Sequence, residues 1–257
     1  MRSFRLVPLV AAVAVLAPAA AHATPSTTFW APSTASCQAF GVPHVSYDTY
    51  FWKGPPIGAS GATGYPVDTG LTVGFLPFKK LQGEAGFDLL LPSQDPLFLN
   101  AKVCTPEAAL FKGSPGISFG IYNVGTKTDV TNYNVLHFMV QKGLPFGGYV
   151  AGGFYHGTND LLFTNSDGEI VKTGAMFAGA SPDIPIGLKG LKTINLIADV
   201  QTGKNVLGAW GFGPTVYFAD NVSLIIGPVF FFDRNLQPGG SRTMWTTQLD
   251  IDFPLGR

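Results

Sequence analysis

The chain has 257 residues, with 16 basic and 16 acidic side chains, 12% charged residues, 13% aromatic residues and 32 glycines. That charged share is about half what a soluble domain carries, too little to coat a surface that meets water on every side, and the balanced charge excludes a polyanionic partner such as nucleic acid. The one long apolar stretch, Leu6 to Ala20, contains Pro8 and Pro18 and falls short of the roughly 20 residues of a spanning helix, which excludes a helical inner-membrane protein.

In chain order, the first element reads as a cleavable secretory signal. Arg2 and Arg5 supply the positive start, Leu6 to Ala20 the apolar stretch and Ala21-His22-Ala23 the small-x-small cleavage site, so residues 1–23 form the expected signal peptide, cleaved after Ala23. Loss of Arg2 and Arg5 leaves 14 basic against 16 acidic residues. No Cys follows the cleavage site, so a lipid anchor is not expected there. Residues 24–43 open with TPSTTFWAPSTASCQAFG, which has no periodicity, and read as an extended periplasmic segment ahead of one β-domain, residues 44–257.

From His44 onward, short segments alternate large apolar with small or polar residues, the period of a strand with two unlike faces. Expected strands run His44 to Trp52, Val67 to Phe78, Gln82 to Leu91, Leu97 to Cys104, Gly116 to Gly125, Tyr133 to Gln141, Gly147 to Gly157, Ile170 to Ala180, Thr193 to Gln201, Val206 to Ala219, Val222 to Asp233 and Thr243 to Phe253. Each is close to the roughly 9 to 11 residues that cross a bilayer at a tilt, and their even number places both termini on one side. Tight turns at Phe78 to Leu81, Lys142 to Pro145 and Ala219 to Asn221 belong to the periplasmic side, and the long connections Gly54 to Pro66, Thr158 to Glu169 and Arg234 to Arg242 to the outside. Two long connections, Thr105 to Pro115 and Ser181 to Lys192, fall on the periplasmic side, which calls for a short helix in each or for a strand count off by one hairpin. PEAALF, starting at Pro106, reads as such a helical turn.

The expected fold class is all-β, a transmembrane antiparallel up-and-down β-barrel of twelve strands. Trp52, Phe75, Phe87, Trp210, Phe212, Phe230, Phe232, Trp245 and Phe253 would then form girdles where the wall meets headgroups. The competing arrangement is a soluble sandwich with those rings inside, against which stands the scarcity of charge on the other face.

The pattern from Thr24 to Arg257 resembles Gram-negative outer-membrane β-barrel proteins of the porin-like class. Its most specific part is the last strand, where Gln248, Leu249, Ile251 and Phe253 are similar to the C-terminal signal read by the barrel assembly machinery; here Pro-Leu-Gly-Arg follows Phe253, where such chains usually stop at the aromatic. The stretch from PLFLNAK to YNVGTKTDVTNYNV also resembles a family of bacterial envelope proteins, and that likeness brings no activity with it. The resemblance implies an outer-membrane location, with lipid, the assembly machinery and small solutes as partners.

On the strand parities above, the small and polar face carries Asp48, Asp68, Glu84, Asp88, Asp199, Asp250 and Asp252, with Lys102 as the clearest basic counterpart. Lining a lumen, these carboxylates would repel one another and raise the local cation concentration. The alternative is a lumen filled by hydrogen-bonded side chains and water, its acids neutralised by Arg or Lys from the connections. Pairing of first and last strands brings Asp48 near Asp250 and Asp252, with no His at a diagnostic distance, so a solvated cluster is expected rather than a metal site. His44, His137 and His156 are scattered, no nucleophile-base pair stands out, and there is no CxxCH or phosphate-cradling loop, so neither an enzyme nor a cofactor is expected. Cys37 and Cys104 fall at one rim and make one possible disulfide in an oxidising compartment, tying residues 24–41 across the periplasmic mouth as a partial plug; two free thiols are the alternative. The expected function is a porin-like channel for small polar or cationic solutes, with a non-conducting structural barrel as the alternative and an outer-membrane enzyme behind both.

Overall fold

The computed structural model describes residues 29–52 and 67–254. The expected signal peptide and the expected outer connection from Gly54 to Pro66 lie outside the described residues. The strands are β1 (Pro43–Phe51), β2 (Val67–Gly74), β3 (Gln82–Leu91), β4 (Leu97–Thr105), β5 (Gly116–Gly125), β6 (Asn132–Gly143), β7 (Tyr149–Gly157), β8 (Thr173–Ala180), β9 (Ile184–Pro185), β10 (Thr193–Gln201), β11 (Ala209–Ala219), β12 (Val222–Phe231) and β13 (Thr243–Asp252). All but β9 form a closed antiparallel ring in chain order, sealed where β13 meets β1 with His44 opposite Asp252 and Phe51 opposite Trp245. The end at which β1 finishes is the upper rim. β9 lies outside the ring, paired only with Thr193 and Ile194 of β10.

Closure follows from the sequence: every strand interior is rich in β-branched, aromatic and glycine residues, and a ring leaves no strand edge unpaired. The expected strands all occur: β3, β5 and β10 keep the expected bounds, β4 and β6 run longer, and β2, β7, β8, β11, β12 and β13 are shorter. β2 stops at Gly74 because the Gly41 N–H takes the Gly74 carbonyl at 2.8 Å, and beyond it only Phe75 returns a bond to β3, its N–H donating to the Gly83 carbonyl. PEAALF is not helical: Ala108 adopts φ +60°, and the Ala109 N–H donates to the Pro106 carbonyl and the Ser114 N–H to that of Phe111, two tight turns in sequence. The other long lower connection holds β9 rather than a helix. In the β6–β7 hairpin His137 faces Tyr155 and Leu136 faces His156, so the two histidines lie one register step apart.

The two faces separate cleanly. Along β12, Ser223, Ile225, Gly227, Val229 and Phe231 are buried and the residues between them are partly exposed. Outside, Phe119, Phe154, Phe177, Leu196, Trp210 and Trp245 are exposed on six different strands or strand pairs, and Trp210 stacks with Phe230 at 4.6 Å between ring centroids. Inside, large rings meet strand glycines, Phe163 of the β7–β8 connection against Gly157 and Tyr155 of β7 against Gly174 of β8. Two apolar clusters result, one around Met139, Tyr155, Phe163 and Met176 and the other around Phe29, Ile225, Val229 and Phe231. Each such side chain removed from lumen water contributes about 1.5–3 kcal/mol.

Candidate functional site in the barrel lumen

Residues 29–41 do not lie below the barrel; they run inside it. An aperiodic segment cannot satisfy its own backbone, so its N–H and C=O groups must find partners on the wall. Asp199 of β10 supplies three of them: its Oδ2 accepts the N–H groups of Phe29 at 3.0 Å, Trp30 at 2.8 Å and Ala31 at 3.0 Å, and also the Ser33 hydroxyl at 3.2 Å. Gln248 Nε2 donates to the Phe29 carbonyl at 2.7 Å, Trp30 Nε1 to the Leu207 carbonyl at 2.7 Å, and the Ser118 hydroxyl to the Thr34 carbonyl at 3.1 Å. The Ala35 N–H reaches Gln141 Oε1 at 2.9 Å. Near the lower rim, the Gln38 N–H donates to Glu84 Oε2 at 2.6 Å while its side-chain amide donates to Asp252 Oδ1 at 2.7 Å. Cys37 and Cys104 are disulfide-bonded, with their Cα atoms 5.9 Å apart.

The Phe29 ring sits in a slot of three glycines. A Cβ at Gly211 would come to 2.5 Å from its Cδ1, one at Gly227 to 2.6 Å from its Cζ, and one at Gly213 to 3.0 Å from its Cε2. A side chain at Gly227 would meet both the Phe212 carbonyl oxygen and the Phe29 ring.

The expected lumen residues all face inward, but they divide by partner. Glu84 pairs with Lys102 at 3.2 Å and also takes the Gln38 N–H. His44 lies 2.9 Å from Asp252 and 3.3 Å from Asp250, a contact the scattered histidines did not foreshadow, since it needs the β13–β1 seam. Asp88 accepts the Asn100 amide. Asp199 is engaged by the segment. Asp48 and Asp68, paired across β1 and β2, remain: Oδ1 of each is buried and accepts no hydrogen bond from the described residues. Among the described residues, the acids thus find their cationic partners in Lys102 and His44, and the segment's backbone N–H groups supply further donors.

Apart from Asp199 on β10, which the segment covers, these carboxylates occupy one wall, β13 to β3. Between the N-terminal segment and the upper-rim connections lies a cavity of about 440 Å³, lined by Asp48, Asp68 and Asp88 on the acidic wall, Trp30 and Tyr50 beside them, and Leu162 toward the rim. The rim connections are tied together: Asp233 accepts the Ser166 N–H at 3.0 Å and the Asn235 N–H at 3.1 Å. Partial burial pushes the Asp233 carboxyl up, but the Ser166 and Asn235 bonds, with Lys204 nearby, outweigh it and hold its pKa below the usual carboxylate value. Among the described residues no group of His, Cys, Asp and Glu has metal-ligating geometry.

No protein-family model matches the chain, and no curated protein matches it. Among solved structures, an outer membrane channel from Pseudomonas putida F1 aligns over 86% of this chain and 99% of its own, with 13% identity and a TM-score of 0.44. A mutant of the porin of Rhodopseudomonas blastica aligns over 89% of this chain and 67% of its own, with 11% identity and a TM-score of 0.39. A triple mutant of that porin gives 10% identity and a TM-score of 0.38. Likeness at this level transmits no function to the chain.

Proposed function

We propose that this protein is an outer-membrane β-barrel that passes small polar or cationic solutes, narrowed by its own N-terminal segment. The observation that carries the reading is the inversion of faces: an apolar, aromatic exterior suited to lipid encloses an interior where Asp48 and Asp68 stand without a cationic partner among the described residues. Carboxylates in a confined, partly desolvated space concentrate cations and repel anions. The segment occupies part of the lumen, so the path follows the acidic wall beside it. Purified protein reconstituted in planar bilayers should give discrete conductance steps, with a reversal potential in a salt gradient that reports cation preference. A folded, inserted barrel without conductance would favour a structural role instead.

A further inference from the structure

We infer that the lumen cavity is a binding site for amphipathic organic amines, with the ammonium group seated between Asp48 and Asp68 and the apolar body directed toward the upper rim. The inference deepens the reading above by naming a solute class.

The site is built by strand register. Asp48 faces Asp68 across β1 and β2, and Asp68 in turn faces Leu90 of β3. One step up β1 on the same face stands Tyr50, opposite Thr246. Two carboxylates therefore lie side by side at one level, and an aromatic and an aliphatic group lie immediately above or beside them. Asp48 is only 9% exposed and lines the cavity, and its Oδ1 is buried without a donor among the described residues. A buried acceptor in this position is costly unless something supplies N–H groups and positive charge.

Shape and chemistry narrow the occupant. Inorganic divalent cations require six or more oxygen ligands or several tightly held waters, and no metal-ligating group exists among the described residues. A primary ammonium needs only a few acceptors, which the neighbouring carboxylates of Asp48 and Asp68 offer on the cavity wall. Trp30 and Tyr50, edge to face at 6.0 Å, add aromatic surface to the cavity beside the carboxylates, where a cation gains from the rings. Toward the rim the lining turns apolar at Met244 and Leu162, so the far end of the ligand should be apolar too. A cavity of 440 Å³ falls in the range of about 300–1,000 Å³ that encloses a small organic ligand.

The test is calorimetric titration of the full-length exported protein in detergent with 2-phenylethylammonium, and with 2-phenylethanol as the neutral match of the same shape. The amine should bind saturably and the alcohol at least about tenfold more weakly, a factor worth about 1.4 kcal/mol. The Asp48→Asn, Asp68→Asn double variant, which keeps shape while removing charge, should lose at least about tenfold in amine affinity with its binding of the alcohol unchanged. Equal affinity for amine and alcohol overturns the inference. So does an unchanged double variant whose heat-modifiable gel migration matches the parent, or competition of the amine by magnesium ions at equal concentration. The alcohol comparison uses the parent protein alone and stands even if the variant misfolds. A barrel that conducts but does not prefer the amine removes this site and leaves the channel; one that binds the amine in detergent but never conducts removes the channel and leaves the site.

Discussion

The N–H of Phe29 donates to Oδ2 of Asp199 at 3.0 Å, joining positions 170 residues apart and fixing the free-running N-terminal segment to the far wall of the barrel. Three more donors converge on the same oxygen. Asp199→Ala should therefore free the segment: conductance in planar bilayers should rise, and stability to urea in lipid vesicles should fall by about 3 kcal/mol, more than one charged hydrogen bond and less than four because lumen water replaces part of the loss. Unchanged conductance would show that the segment does not narrow the path.

The second tether is covalent. Intact-mass analysis of protein from the envelope should show no alkylation of Cys37 or Cys104 until reductant is added. By loop-closure reasoning, replacing both with Ser should cost up to about 4 kcal/mol. Because Asp199 and Gln248 hold the segment independently at its other end, this pair should change conductance less than Asp199→Ala does.

The apolar exterior makes a sharp prediction about lipid. Ile226→Arg at the centre of β12 and Phe154→Arg on β7 should each cost about 2–4 kcal/mol in vesicles, whereas Phe146→Arg should cost roughly 0–1 kcal/mol. Phe146 is the more exposed residue, at 71% against 54% for Phe154, but it lies in the β6–β7 turn at the lower rim. In water the order would vanish, since replacing any exposed apolar side chain by a charge is nearly neutral there. Equal tolerance at the three positions would sink the membrane assignment.

Selectivity should reside in the unpartnered acids. Asp48→Asn with Asp68→Asn should lower the cation-over-anion permeability ratio, most strongly near 0.01 M salt, where the Debye length is about 30 Å. Asp199→Asn should affect the ratio less, because that carboxylate already faces four donors of the segment.

A pH effect is expected at the lower rim. Glu107 accepts Lys142 Nζ at 2.5 Å and the Gly143 N–H at 2.7 Å, and the Lys142 bond, then the Gly143 bond, hold its carboxyl below the usual value. A depressed carboxylate stabilises above its unfolded pKa, about 4.3 for Glu, and the contribution disappears as pH falls through the lower folded value. The Gly143 amide resonance should thus titrate below the midpoint of a free glutamate. A midpoint at or above it would mean the tie is absent in solution.

Much of this architecture was legible because a strand's period is two and local. The starts of β3, β4, β5, β10, β12 and β13 fall where alternation begins, and Asp48, Glu84 and Asp250 share the inner face by parity alone. What parity cannot give is register across the ring. The glycine slot for Phe29 combines Gly211 and Gly213 of β11 with Gly227 of β12, and His44 meets Asp252 only through a seam between the two ends of the domain. The path of residues 29–41 was opaque for a different reason: without periodicity, its course is dictated by acceptors such as Asp199, which look like ordinary lumen acids in the sequence. PEAALF misled because its composition suits a helix, while the turn that Ala108 makes at φ +60° does not.

Gln38 touches both sides of the seam. Its N–H is held by Glu84 of β3, reachable once the first strands have paired, and its amide by Asp252, which arrives only when the last strand joins the first. The two bonds coexist in the finished ring alone. The wall is therefore moulded around a segment of its own chain, and a barrel that closes with the segment left outside forfeits the contact that marks the join, so the same thirteen residues that narrow the interior also inspect whether the cylinder has been assembled in the right order.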